Sequence, residues 1–105
     1  MWTVEYLVAA AAERDGLPID MRARLARMTD VIREHGILNL PRDWVKPLGD
    51  KLWELRITGR DGIARAVYVV VSGQRIVIVR VFIKKTQKTP QHELELARKR
   101  AKEVL

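Results

Sequence analysis

Apolar and polar residues alternate with different periods along the chain, and each period predicts a helix or a strand. Residues 1–6 alternate between the two kinds, which predicts a short strand, and the alanine-rich residues 7–14 predict a short helix. Asp20 is a suitable N-cap for a longer helix that Gly36 is expected to end. One face of this helix carries apolar residues at helical spacing, namely Met21, Leu25, Met28 and Ile32.

The second half of the chain predicts strands. Residues 37–51 hold two prolines and indicate an irregular connector. Alternating or β-branched runs follow, separated by short glycine-containing turns, at residues 52–58, 64–71 and 75–84. Thr89 is expected to cap a last helix, with Pro90 at its first position. The order β-α-α-β-β-β-α predicts an α+β domain in which a mostly antiparallel sheet packs against helices.

Length and composition favour one folded domain. The chain has 105 residues, expected to form a single domain over residues 1–105, and its 48% apolar content is enough for a core. The absence of cysteine excludes disulfides and thiolate zinc sites and fits a cytoplasmic protein. His35 and His92 lie far apart, so no metal site is expected. Neither a membrane span nor a signal peptide is expected.

The balance of charge favours a polyanionic partner. Lysine and arginine total 20 against 13 acidic residues, a formal net charge of +7. This excess is typical of nucleic-acid-binding domains, although a basic domain that gains only solubility from its charge has the same composition. Three lysines fall within residues 82–90, where the phosphates of a nucleic acid would offset their mutual repulsion.

Three segments of the chain resemble one protein family. Residues 48–56 read LGDKLWELR, residues 65–68 read RAVY, and residues 82–90 read FIKKTQKTP. At this spacing they resemble the phage-derived HigB-like toxins of the RelE superfamily, the toxin halves of type II toxin–antitoxin pairs. The resemblance covers the later part of the chain and the element order of its beginning, and it implies a RelE-like fold.

The resemblance also implies a function. Members of the HigB-like family are bacterial, ribosome-dependent endoribonucleases. They cut translated mRNA in the cytoplasm, without a cofactor, and so inhibit translation and arrest growth. The implied partners are mRNA, the ribosome with its rRNA, and a cognate helix-turn-helix antitoxin through which alone operator DNA is contacted; no membrane is implied. Where the family often has histidine and glycine before the phenylalanine, this chain has Arg80 and Val81.

RNA cleavage by the neighbouring 2′-hydroxyl needs no metal, but it needs groups that stabilise the phosphate and move protons. Arg56 and Arg65, on consecutive predicted strands, are candidates for binding phosphate oxygens. Arg65 shares its face with valines, which favours a specific anion, although a strand-end arginine can also extend out of the core. Lys84 and Lys85 are candidates for stabilising charge and are expected to point to opposite sides of the strand.

Glu54 and Tyr68 are candidates for a general base. The alternatives are a structural salt bridge of Glu54 to a neighbouring arginine and core packing of Tyr68. Further candidates for contacts with RNA or the ribosome are Arg80, Phe82, Lys88, Arg98, Lys99 and Lys102. Here the alternatives are Phe82 in the core, Lys88 in a solvated loop, and a solvated face of the last helix.

Two other functions fit the same sequence. One is a basic module that binds nucleic acid or the ribosome without cutting, which the missing histidine favours. The other is a phage-derived interaction protein whose basic loop docks an acidic partner. Growth arrest that depends on Arg65 would separate a toxin from both.

Overall fold

A five-stranded sheet with helices on both sides forms the protein. The computed structural model describes residues 1–85 and 88–105. The helices are α1 (Val8–Asp15), α2 (Ile19–His35) and α3 (Gln91–Ala101). The strands are β1 (Thr3–Tyr6), β2 (Val45–Gly49), β3 (Leu52–Gly59), β4 (Gly62–Val71) and β5 (Arg75–Lys84). In the sheet they lie in the order β1-β5-β4-β3-β2.

Most of the sheet is an antiparallel meander. Each strand from β2 to β5 pairs with the next one along the chain. β1 instead pairs in parallel with the first half of β5, from Thr3 opposite Arg75 to Tyr6 opposite Ile78. This arrangement confirms the predicted α+β class with a mostly antiparallel sheet.

The connector predicted for residues 37–51 is wrong in part, because it contains a strand. After a 3₁₀ turn at Arg42–Trp44, β2 pairs with β3, and Lys46 lies opposite Glu54. Pro47 within β2 lacks an amide hydrogen, which is tolerated on an edge strand because one side of its backbone faces solvent. Pro47, one of the two prolines that predicted a loop, therefore belongs to the edge of the sheet, while Pro41 precedes the 3₁₀ turn.

The two faces of the sheet are covered differently. On one side, the α2 face, the predicted apolar stripe of α2 is buried in a cluster with residues of the sheet, which confirms that prediction. On the other side, the α3 face, the buried apolar residues of α3 are Ala97 and Ala101, in a cluster with sheet valines. Two methyl groups bury little apolar area, so α3 relies on polar contacts more than α2 does.

The predicted cap at the start of α2 is wrong, and the predicted end is confirmed. The helix begins after Pro18, and the Asp20 carboxylate accepts a hydrogen bond of 2.7 Å from the backbone amide of Arg60. Asp20 therefore joins α2 to the turn between β3 and β4. Gly36 follows the last helical residue with a φ of 82°, a left-handed conformation that glycine adopts at little cost.

The predicted cap of α3 is also wrong. The helix begins after Pro90, one position later than predicted, and the Thr89 hydroxyl donates a hydrogen bond to Glu54 of β3. Thr89, like Asp20, was predicted to cap a helix, but its side chain instead forms a hydrogen bond with a residue that is distant in sequence.

The edge of β5 beyond β1 is closed by side chains. β1 pairs with β5 only as far as Ile78. Past that point the amide of Val81 donates to Glu13 of α1 at 3.0 Å, and the carbonyl of Val79 accepts from Arg100 of α3 at 2.9 Å. Arg100 also pairs with Glu13 at 2.9 Å. An ion pair between two helices thus satisfies backbone groups that a further strand would otherwise pair.

Arg80 completes this group, which we call the edge cluster: Glu13, Arg80, Glu93 and Arg100. The Arg80 guanidinium donates to both carboxylate oxygens of Glu93, at 2.7 and 3.1 Å, and it also pairs with Glu13. The edge cluster therefore ties α1 and α3 to β5. Burial alone would raise the pKa of Glu13, but hydrogen bonds from Arg100 and the Val81 amide, with the charge of Arg80, outweigh burial and lower it.

We expect Glu13→Gln to destabilise the protein by about 2 kcal/mol at neutral pH, since Arg80 and Arg100 lose a charged acceptor while they stay partly buried. Because the pKa of Glu13 is lowered in the folded state, its contribution is present above its ordinary pKa and is lost as pH falls through the folded value. Urea unfolding from neutral to acidic pH measures this, and the gap between wild type and variant should shrink on acidification.

Glu5→Gln is the matched control, because Glu5 pairs with Arg75 at 2.7 Å on the exposed surface. An exposed pair contributes about 0–1 kcal/mol, so this variant should lose much less stability than Glu13→Gln. Equal losses would mean that the edge cluster stabilises the fold no more than an ordinary surface pair.

Candidate active site

The register of β3, β4 and β5 gathers charged residues on the α3 face. Arg56 of β3 pairs with Arg65 of β4, which pairs with Phe82 of β5. Directly opposed residues of an antiparallel sheet project from the same face, with Cβ atoms about 4.5–5.5 Å apart. Glu54 and Lys84 lie two positions from this row on their own strands, so they project from the same face.

Three of these charged side chains are buried. Glu54 is 0% exposed, Arg65 3% and Lys84 7%. The Nε atom of Arg65 lies 3.7 Å from Oε2 of Glu54, an ion pair that is longer than a hydrogen bond. Within residues 1–85 and 88–105, Nε and Nη1 of Arg65 and Nζ of Lys84 have no hydrogen-bond acceptor. Two buried cations beside one carboxylate thus present donors that suit an anion.

Burial changes the proton affinity of both cations. It lowers the pKa of Arg65, an effect that the charge of Glu54 opposes and the charge of Arg56 increases. The pKa of Lys84 is lowered first by burial and then by the positive charge of Arg65, while Glu54 opposes the shift. Lys84 therefore releases its proton more readily than a solvated lysine does, which suits a group that exchanges a proton during a reaction.

Two residues that the sequence did not indicate complete the site. The Thr89 hydroxyl contacts both carboxylate oxygens of Glu54, at 3.1 and 3.3 Å. Lys46 is exposed opposite Glu54 on β2, and its charge contributes to the lowered pKa of Lys84. Lys46 was not predicted because the strand that carries it, β2, was not predicted. Only the pairing of residues 45–49 with the LWELR strand would have indicated that Lys46 lies near the site.

The other basic candidates are exposed. Lys84 is buried at the end of β5, and Lys85, just beyond that end, is exposed. Because Lys85 is outside the strand, the predicted opposite directions of the two side chains stay a prediction. The exposed basic candidates are Arg56, Lys85, Lys88, Lys99 and Lys102. Thr86 and Gln87, in the middle of the KKTQKTP segment, lie outside the described residues.

Arg80, Phe82 and Arg98 were predicted to contact RNA, but the structure gives each of them a partner within the protein. Arg80 is bound to the carboxylates of the edge cluster, and its guanidinium lies 5.6 Å from the centre of the Phe82 ring. Phe82 is 7% exposed, which agrees with the core alternative. Arg98 pairs with Asp50 at 2.7 Å.

Of the two alternatives for Tyr68, general base or core residue, its position favours the core, because this residue projects from the other face of the sheet. Tyr68 lies opposite Trp53 of β3, one position from Glu54, and is buried in the cluster of the α2 face. Burial also raises the pKa of Tyr68, which disfavours the phenolate that a base needs. Its core alternative holds.

The described part of the chain holds neither a cluster suited to a metal ion nor a membrane-spanning helix. There, no group of three or more His, Cys, Asp or Glu side chains is placed to hold a metal ion. His35 and His92 have exposed side chains, at 64% and 78%. Across residues 1–85 and 88–105, no helix combines the length and apolar character that crossing a membrane requires.

Comparison with known families decides the family. The family described as phage-derived proteins like Gp49 (DUF891) matches residues 12–102. The chain belongs to this family. A comparison with curated proteins found no match. The phage-derived family that the three sequence segments indicated is thereby confirmed, and the narrower HigB assignment stays a prediction.

Solved structures of an E. coli toxin share the fold. A chain of the intact E. coli RelBE toxin–antitoxin complex has a TM-score of 0.60 at 17% identity, over 82% of this chain and 100% of that chain. The isolated E. coli RelE toxin has 0.58 at 15%, over 100% of both chains. A free double arginine-to-alanine variant of E. coli RelE has 0.62 at 16%, over 99% and 98%. The predicted RelE-like fold is therefore confirmed.

We expect Glu54→Gln to destabilise the protein by about 3–5 kcal/mol, because it leaves the buried guanidinium of Arg65 without its counter-charge. Adding Arg65→Met should recover most of that loss, since an unbranched apolar side chain can occupy the space. Urea unfolding of wild type, both single variants and the double variant measures the coupling. Losses that simply add would mean that the two charges do not stabilise each other.

Proposed function

We propose that the protein is the HigB-like toxin of a type II toxin–antitoxin pair, a ribosome-dependent endoribonuclease that cuts mRNA without a metal and so inhibits translation and growth. The observation that carries this proposal is the buried group of Glu54, Arg65 and Lys84 on the α3 face. It combines one carboxylate with cationic donors that have no acceptor among the described residues, and a phosphodiester matches this set.

In the proposed reaction, the Glu54 carboxylate takes the proton of the ribose 2′-hydroxyl, and the 2′-oxygen attacks the adjacent phosphorus. A bond forms between O2′ and phosphorus, the bond between phosphorus and O5′ breaks, and the Lys84 ammonium gives its proton to O5′. The products are a 2′,3′-cyclic phosphate and a 5′-hydroxyl, so the step balances without water or metal.

The surroundings of each group support its proposed role. Thr89 holds the carboxylate of Glu54 in one orientation, which suits a base. Arg65 presents a planar fork of buried donors, which suits the non-bridging phosphate oxygens as their charge increases. The lowered pKa of Lys84 suits an acid. Arg56, exposed in the same row as Arg65, is proposed to contact a flanking phosphate.

Exposed lysines are proposed to supply the contacts with RNA and the ribosome. They are Lys85, Lys88, Lys99 and Lys102. Arg80, Phe82 and Arg98 already contact other groups of the protein, so we assign them to the fold.

A cognate helix-turn-helix antitoxin is the proposed protein partner, with operator DNA contacted only through that complex in the cytoplasm. The support for such a partner is that one structure with this fold is that of the intact E. coli RelBE toxin–antitoxin complex. The proposal for this chain therefore includes a neighbouring gene that encodes the antitoxin.

A non-catalytic module that binds nucleic acid or the ribosome is the second candidate. It is favoured by the position of the histidines, because both are exposed and neither belongs to the buried site. The two candidates differ in their products, since only the enzyme leaves RNA fragments that end in a cyclic phosphate.

We expect inducible expression of the wild-type protein in bacteria to arrest growth and fragment mRNA, and Lys84→Met to do neither. Methionine keeps the apolar length of the buried side chain and removes the ammonium, so the fold should persist while cleavage falls by about 10²-fold or more. Growth curves, followed together with mapping of mRNA 3′ ends, measure both effects.

Lys51→Met is the matched control, because Lys51 is an exposed lysine with no proposed contact to RNA, and cleavage should stay within a few-fold of wild type. Circular dichroism and solubility show whether each variant folds. Wild-type cleavage by folded Lys84→Met would remove Lys84 from the mechanism. A folded wild type that binds ribosomes but leaves mRNA intact would favour the binding module.

A further inference from the structure

The arginines of the described residues divide into two groups. Those whose guanidinium lies within ion-pair distance of a carboxylate are Arg14, Arg33, Arg65, Arg75, Arg80, Arg98 and Arg100. Within residues 1–85 and 88–105, those without such a partner are Arg22, Arg24, Arg27, Arg42, Arg56 and Arg60. Arginines that the fold leaves unpaired are available to an external anion.

Half of the unpaired arginines converge on one pocket. Arg24 and Arg27 of α2 and Arg60 of the turn after β3 line a concave space of about 470 Å³, with Thr58 and Gly59 of β3 as its floor. α2 and this turn are held together by the hydrogen bond from the Arg60 amide to a carboxylate at the start of α2. The pocket therefore lies between two elements that this hydrogen bond joins.

The pocket has an excess of positive charge. Asp20 is the acidic residue that lines it, and its carboxylate already accepts the Arg60 amide at 2.7 Å. That hydrogen bond lowers the pKa of Asp20, so this carboxylate is ionised and offsets one of three guanidinium charges. Arg24 and Arg27 are three positions apart on a helix, where like charges repel each other. An anion in the pocket would remove that repulsion.

The pocket lies at the end of β3 that follows Arg56, on the side of the sheet that α2 covers, whereas the candidate active site lies on the α3 face. Thr58 of its lining is two residues beyond Arg56, about 7 Å along the strand, and it pairs with Ile63, which in turn pairs with Lys84. A nucleic-acid strand that contacts both Arg56 and the pocket therefore passes around this end of the sheet. Guanidinium forks match phosphate oxygens, so the pocket offers the same chemistry to a flanking part of the strand.

We propose that Arg24, Arg27 and Arg60 form a second phosphate-binding site, which holds the backbone of an RNA strand where that strand passes the end of β3 beyond Arg56. This rests on the proposed function in so far as RNA is the substrate. The ligand is the ribose–phosphate backbone, with no selection of bases. The source is either the mRNA itself or ribosomal RNA, which offer the same chemistry.

The test compares two double variants that each remove two unpaired, exposed arginines. Arg24→Gln/Arg27→Gln removes charge from the pocket, and Arg22→Gln/Arg42→Gln removes the same charge elsewhere. Glutamine is a good helix former, so both variants should fold like wild type. The probe is a fluorescent single-stranded RNA of 12 nucleotides with 2′-O-methyl groups, which the enzyme cannot cleave, and binding is followed by fluorescence anisotropy at several salt concentrations.

The pocket variant should bind the probe at least about tenfold more weakly than wild type. The slope of log K against log salt should fall by about 1.4, since each phosphate that the protein no longer neutralises accounts for about 0.7. The control variant should change much less in both respects. Co-sedimentation with ribosomes forms a second arm, and a selective decrease there alone would support the proposal with ribosomal RNA as the source. Equal decreases for the two variants in both arms would overturn it.

An acidic protein segment is the competing ligand. Binding of poly-glutamate that depends on Arg24 and Arg27, with RNA binding unchanged, would overturn the RNA proposal. If wild type leaves mRNA intact while the pocket variant still loses RNA binding selectively, the ribonuclease function fails and the second phosphate site stands.

Discussion

The two-residue repeat of the sheet is the constraint on which the rest of the structure depends. Successive side chains of a strand point to opposite faces, so β3, β4 and β5 turn an apolar set towards α2 and a mixed set towards α3. The register that buries Leu55 and Ile57 under α2 is the same register that puts Glu54 and Arg65 side by side on the α3 face. A slip by one residue would carry both charges into the α2 core. Core and candidate site are therefore specified by one set of pairings.

Burial of charge at the site opposes folding, and other parts of the structure offset it. Two cations and one carboxylate lose water on the α3 face, and a buried ion pair seldom stabilises a protein relative to apolar side chains. The buried apolar stripe of α2 offsets this cost. α3 links the edge cluster to the site, because it is fixed by the edge cluster and is preceded by Thr89, which contacts Glu54. The position of α3 and the orientation of the Glu54 carboxylate are thus coupled.

Features that depend on neighbouring residues could be predicted from the sequence, and features that depend on contacts between distant residues could not. The buried stripe of α2 follows from the period of the helix, and it was predictable. The role of Arg80 was not, since its partner Glu13 is 67 residues away and no local pattern marks the pair. Asp20 and Thr89 fit the local rule for helix caps, but each forms a tertiary hydrogen bond instead. The family motifs indicated Arg65 and Lys84, while the burial that gives those residues their chemistry needed the assembled sheet.

The position before Phe82 where the resembled family often has a histidine has a structural role in this protein. Arg80 occupies that position and is bound to two carboxylates, so the position serves the edge cluster and is not free for proton transfer. Proton exchange near neutral pH needs a group whose pKa is moved towards that range, and burial beside Arg65 moves the pKa of Lys84 in this direction. Nζ of Lys84 is also buried and has no hydrogen-bond acceptor in the described part of the chain. The buried lysine, and not the position before Phe82, is therefore where the proposed proton transfer to the leaving group is placed.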